Sequence, residues 1–96
     1  MEIKIGITFK SKSDDDIIQT VVGFRDEGKT TIVHYFDVID PVSQLPNVYN
    51  QEDILNLYEE KKDNQFFLET NDYLTLTTKA LEVGLETGYF YPFKPV

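Results

Sequence analysis

Cysteine is absent from this sequence, and histidine and arginine occur only once each. Without cysteine the chain has no disulfide, no thiol nucleophile and no thiolate ligand for a metal. It also has no signal peptide and no apolar run of about 18 to 20 residues, which predicts a cytoplasmic protein without membrane spans. So few catalytic residue types favour a protein that is not an enzyme and needs no cofactor.

The composition is that of a single small globular domain spanning residues 1–96. Hydrophobic residues make up 41% of the chain and charged residues 27%, which excludes a disordered or fibrous protein. A chain of this length buries about two-thirds of its surface when it folds. It can therefore build one thin core, and it has little stability to spare.

Acidic residues outnumber basic residues by 17 to 9, which gives a formal net charge of −8. The excess lies beyond residue 12, because residues 1–12 hold three lysines and one glutamate. Nucleic acids and anionic membranes are bound mainly through Lys and Arg, so neither is an expected partner. The acidity either serves solubility alone or forms a face that attracts a protein with a basic surface.

The first forty residues predict three strands. Within residues 3–9, apolar side chains alternate with polar ones, as in a strand with one buried face. These apolar residues are Ile3, Ile5, Ile7 and Phe9. Residues 14–27 are ambiguous, because Ser13 and the three acids that follow could cap a helix, whereas the β-branched residues after them favour a strand. We favour a hairpin over residues 16–39 that turns near Gly28.

The clearest helix is predicted over residues 50–62. Asn50 can cap its N-terminus, and Ile54, Leu57 and Tyr58 form the apolar stripe expected to face the core. Four acids lie off that stripe: Glu52, Asp53, Glu59 and Glu60. They form two pairs spaced seven residues apart, so the members of each pair project from nearly the same side and present an outward negative surface.

Beyond this helix the sequence predicts a second hairpin, with arms at residues 66–68 and 73–76. Thr77 or Thr78 could then cap a short helix, although a further strand is the alternative there. The C-terminal segment 88–96 is expected to be extended, because each of its prolines disfavours a helical conformation in the residue before it.

Few residues could carry chemistry. A general base at His34 would need a carboxylate on the same face, but Asp37 would lie on the opposite face of a strand, so His34 is expected to pack in or beside a sheet. The run Asp14–Asp16 could bind Ca²⁺ or Mg²⁺ with help from Asp37 or Asp40. An EF-hand loop would require a glycine and a glutamate that this segment lacks, so we expect a solvated or helix-capping run instead.

The C-terminal segment concentrates four aromatic residues in five positions: Tyr89, Phe90, Tyr91 and Phe93. If the segment is extended, Tyr89 and Tyr91 share one face and Phe90 takes the other. The aromatics either close the core as a terminal strand or supply anchors for a partner, since Tyr and Phe are favoured at the centres of interfaces.

Together these features predict a small α+β domain with a mostly antiparallel sheet of four or five strands and one main helix, about 50–62, packed on it. The expected function is non-catalytic binding of a protein with a basic surface, as an adaptor, inhibitor or regulator. The expected contact residues are Glu52, Asp53, Glu59, Glu60, Tyr89, Tyr91 and Phe93. The alternatives are an inhibitor that mimics nucleic acid, of the type carried by viruses and mobile elements, and a small metal-dependent enzyme.

Overall fold

The fold is taken from a computed structural model that describes residues 2–39, 43–44 and 50–93. The strands are β1 (Thr8–Ser11), β2 (Asp14–Arg25), β3 (Thr30–Asp37), β4 (Tyr73–Thr77) and β5 (Phe90–Pro92). The helices are α1 (Gln51–Lys61), α2 (Gln65–Thr70) and α3 (Thr78–Thr87). All strand pairs are antiparallel, in the order β4-β3-β2-β1-β5. The predicted α+β class and five-stranded sheet are confirmed, and α3, at 10 residues, is nearly as long as the predicted main helix.

The ambiguous segment 14–27 is a strand and a turn. β2 pairs with β3 from Ile17 opposite Asp37 to Arg25 opposite Thr30, so the predicted hairpin is confirmed. β-branched side chains pack well on a pleated surface, and here that preference outweighs the capping potential of the acids. The three acids are the first residues of β2 and all are exposed, so the run is solvated and the helix-capping alternative is wrong.

Helices cover both sides of the sheet. One side, the helix-pair face, is covered by α1 and α2, and its buried residues are Val22, Ile32, Tyr58, Leu68 and Tyr73. The opposite side, the α3 face, is built from Phe9, Val21, Val33 and Leu81. Because the middle parts of β2 and β3 are buried on both faces, their apolar residues come in consecutive pairs, such as Val21-Val22 and Ile32-Val33, instead of alternating with polar ones.

The predicted strand over residues 3–9 is wrong for its first half. Gly6 has φ +96°, a conformation that L side chains rarely adopt, and the chain turns there. The N–H of Ile7 donates to the carbonyl of Lys4 at 3.3 Å across this turn. Ile5 is consequently 56% exposed, whereas Ile3 and Ile7 pack against the α3-face core.

The first arm of the predicted second hairpin is also wrong, because it is the helix α2. The Asn64 side chain caps this helix by accepting the N–H of Phe67 at 2.9 Å. The second arm is confirmed as β4. The predicted cap of the next helix is confirmed at Thr77, whose hydroxyl accepts the N–H of Ala80 at 3.2 Å, and Gly88 ends that helix with φ 81°.

The predicted helix over residues 50–62 is confirmed, but its rotation about its axis differs from the expectation. The Asn50 side chain accepts the N–H of Asp53 at 3.1 Å, as predicted for the cap. The Tyr58 ring docks so closely on Gly23 that a Cβ there would lie 2.6 Å from it. With Tyr58 seated on the sheet, Leu55 packs inward and Leu57 is 39% exposed, so the expectation that Leu57 faces the core is wrong.

The C-terminal segment closes the sheet along β1, with Phe9 opposite Pro92 and Ser11 opposite Phe90. The ring of Phe90 packs edge-on against Phe9, with 5.2 Å between the ring centroids. The structural alternative for the tail is therefore confirmed over β5. The rest of the predicted 88–96 segment, from residue 94 onward, lies outside the described residues.

Candidate protein-binding surface

The four acids predicted on the main helix are all exposed on α1. Asp53, Leu57 and Glu60 stand at helical positions i, i+4 and i+7, so they lie along one line on the outer face of the helix. Leu57 lies between the two carboxylates and exposes 39% of its surface. The outer face of α1 thus combines an apolar side chain with flanking negative charges.

The charge on this face is not uniform along the helix. Lys62 lies 2.5 Å from Glu59, and Lys61 lies 3.7 Å from Glu60, so the C-terminal acids are paired on their own helix. The hydrogen bond and the charge of Glu59 raise the pKa of Lys62. Glu52 and Asp53 have no ion pair within the part of the chain that the structure describes. The uncompensated negative charge is therefore greatest in the first turn of α1.

The predicted aromatic anchors lie in β5, at Tyr91, and directly before and after it, at Tyr89 and Phe93. The hydroxyl of Tyr89 donates to Ser13 at 2.7 Å, and this tyrosine is exposed. The ammonium of Lys10 lies 4.3 Å from the centroid of the Phe93 ring, within range of a cation–π interaction. Tyr91 is half-buried and stands opposite Lys10 in the ladder between β1 and β5.

The structure brings the acidic helix and the aromatic segment to the same side of the sheet. Phe9 belongs to the α3-face core, so the next residue, Lys10, points to the helix-pair face, and Tyr91 opposite it does the same. α1 packs on β2, and β1 separates β2 from β5. The two predicted elements therefore lie two strands apart, about 10 Å across the sheet.

Three of the five carboxylates considered for a metal site line an open depression at the other end of β2. It is lined by Asp14, Asp16, Asp37, Val38, Ile39 and Gln44. Among the described residues, no group of three or more His, Cys, Asp or Glu side chains is placed to hold a metal ion. Asp40, another of the five candidates, lies outside those residues.

His34 lies on β3 among aromatic rings, as the packing hypothesis expected. Its ring is 4.9 Å from that of Tyr73 and 6.0 Å from that of Phe36, centroid to centroid. Burial lowers the pKa of His34, and the nearby charge of Asp72 opposes this effect. Asp37 lies three residues along the same strand and so on the opposite face, and the buried Nδ1 of His34 has no hydrogen-bond partner among the described residues.

Sequence reasoning missed Leu57 as a surface residue, because the periodicity of α1 is equally compatible with two rotations of the helix.

No described helix is long and apolar enough to cross a membrane. The chain matches no protein-family model, and comparisons with curated proteins and with solved structures find no significant similarity. The function therefore has to be inferred from the surfaces described above.

Proposed function

We propose that this protein is a non-catalytic protein-binding domain that recognises a basic protein surface through the outer face of α1. The observation that carries the proposal is the exposure of Leu57 between Asp53 and Glu60. Binding sites combine an apolar centre, which is dehydrated in the complex, with a polar rim that remains in contact with water. An adaptor, an inhibitor or a regulator would use such a surface in the same way.

The charge of the chain supports a basic partner. Asp53 lies one helical turn before Leu57, and Glu52 adds a second exposed carboxylate to the first turn of α1. The domain has a net charge of −8, so the electric field favours encounter with positive surfaces. By contrast, the lysine pairs at Glu59 and Glu60 interrupt the row of free carboxylates that a nucleic-acid mimic would present. This favours a discrete protein contact over phosphate mimicry.

Tyr89, Tyr91 and Phe93 extend the proposed surface on the same side of the sheet. They would add aromatic contact area at the margin of the interface, next to Lys10. The proposal includes a cytoplasmic location, which is supported by the lack of cysteine in the chain.

The test is a capture experiment followed by measured kinetics. The protein is immobilised, partners are recovered from an extract of the native host, and association and dissociation rates are measured with the purified partner. We expect Glu52→Lys to slow association several-fold at low salt, because exposed charges act mainly on encounter. We expect Leu57→Ala mainly to speed dissociation, because it removes an apolar contact from the bound state.

Two matched variants on other surfaces serve as controls. Asp15→Lys makes the same change of charge sign on β2, and Val83→Ala truncates an apolar side chain that is 42% exposed on α3. Neither should change the rates by more than about twofold. The proposal is wrong if association is insensitive to salt and the α1 variants behave like their controls.

A further inference from the structure

β4 is an end strand of the sheet, and among the described residues no strand pairs with its outer edge. The N–H of Tyr35 donates to the carbonyl of Asp72 at 2.8 Å, and the N–H of Thr78 donates to that of Lys29 at 2.9 Å. Hydrogen-bonded pairs alternate along an antiparallel ladder, so these two bonds fix which residues of β4 bond to β3. Tyr73 and Thr75 stand at the intervening positions, and their N–H and C=O groups point away from the sheet.

The opposite edge of the sheet is different. The N–H of Lys12 donates to the carbonyl of Tyr89, and that of Phe93 donates to Thr8, both at 2.9 Å. By the same alternation, Phe90 and Pro92 are the residues of β5 that point outward. Proline has no N–H, so β5 lacks one of the donors that an added strand would need, which is a common protection of sheet edges. On β4 the outward residues Tyr73 and Thr75 are not proline, so both keep an N–H.

A small pocket lies beside the open edge, between β4 and α2. The pocket has a volume of about 230 Å³, which includes the open space at its entrance. Its lining residues include Arg25, Ile32, Leu68, Tyr73 and Thr75. Tyr73 is only 8% exposed, and its hydroxyl has no hydrogen-bond partner among the described residues. A buried hydroxyl without a partner costs free energy, which a ligand with a polar group could recover.

We propose that the β4 edge binds an extended segment of a partner protein as a sixth strand. Backbone groups of that segment pair with Tyr73 and Thr75, because only an extended chain matches donors and acceptors repeating every second residue. Alternate side chains then point to the helix-pair face, and one small side chain with a hydroxyl group enters the pocket beneath α2 and pairs with the hydroxyl of Tyr73. The net charge of −8 favours a basic segment over a second copy of this acidic chain.

A phage-displayed library of random linear peptides is the probe that tests this site. We expect the enriched peptides to carry serine or threonine at the position that faces the pocket, together with basic residues. Thr75→Pro should weaken their binding at least tenfold, because it removes an outward N–H, while leaving the ladder to β3 intact. Thr75→Val keeps that N–H and Pro92→Ala restores a donor on the other edge, so both should bind like the wild type. The α1 variants should also bind the selected peptides like the wild type, which distinguishes the β4 edge from the α1 surface of the proposed function.

Amide hydrogen exchange on the wild-type protein provides a second measurement that does not depend on the proline variant folding. The amides of Tyr73 and Thr75 should exchange freely without peptide and become protected when the selected peptide binds. The proposal is overturned if no peptide is enriched, if Thr75→Pro folds and binds normally, or if these amides stay unprotected. A dimer that forms with rising concentration and is lost in Thr75→Pro would show that the edge binds a second copy instead.

Discussion

The ring of Phe90 lies where a side chain at residue 84 would have to be. Gly84 is buried in the middle of α3, and a Cβ built on it would overlap the ring. The ring is held from the other side by Phe9. The terminal strand β5 therefore packs directly on the backbone of α3, and glycine is required at this point despite its low helix propensity.

Gly84→Ala should destabilise the protein. Alanine favours the helix by about 1 kcal/mol, but forcing a methyl group into a filled core costs typically 1–3 kcal/mol. We expect a net loss in the free energy of unfolding, measured by urea denaturation. In the Phe90→Leu background the same substitution should cost less, because the smaller side chain can yield. Equal costs in both backgrounds would show that the ring is not the obstacle.

A chain that ends at Thr87 should fail to melt cooperatively. It loses β5 and with it Phe90, and burying one large apolar side chain contributes about 1.5–3 kcal/mol. The half-buried rings of Tyr91 and Phe93 are lost as well, from a domain whose total stability is expected to be about 5–14 kcal/mol. Circular dichroism melts of the truncated and full-length chains measure the effect, and Pro92→Ala is the control that keeps the strand. A truncated chain that melts near the wild-type temperature would assign the tail to docking alone.

Asn50→Ala and Asn64→Ala should each reduce stability by about 1 kcal/mol. Each substitution removes a side-chain oxygen that caps a helix N-terminus. Asn50 accepts the N–H of Asp53, and Asn64 accepts the N–H of Phe67. Asn56→Ala is the matched control, since it makes the same change at an exposed position inside α1. It should be neutral or slightly stabilising, because alanine is the better helix former. If Asn56→Ala lowered the free energy of unfolding as much as the two cap variants do, this explanation would be wrong.

The stability of the protein should fall as the pH drops below about 6.5, in part through His34. Burial lowers the pKa of His34 below its usual 6.5, so the unfolded chain binds a proton in a range where the folded protein does not. Protonation therefore favours unfolding as the pH falls from 6.5 towards the folded pKa. His34→Gln should lose less stability between pH 7.5 and 5.5 than the wild type, as measured by urea midpoints. The carboxylates are common to both proteins, so an identical loss would exclude a contribution from His34.

Local signals in the sequence determine much of this fold. Asn50 caps α1 because its side chain needs only the backbone three residues ahead, and Thr77 caps α3 for the same reason. The β-branched residues of β2 and β3 favour strands through their own stiffness and need no information from distant residues. The acids of α1 are exposed because an amphipathic helix places its charges away from whatever it packs on.

Only the tertiary structure decides which of several compatible patterns is used. The segment before Thr8 alternates like a strand, yet the turn at Gly6 removes most of it from the sheet. Periodicity allows two rotations of α1, and the close approach of Tyr58 to Gly23 selects the one that exposes Leu57. Strand order, the open edge of β4 and the pocket beside it arise from contacts between residues far apart in the chain. Such contacts depend on how complete elements fit together, so no local pattern in the sequence contains them.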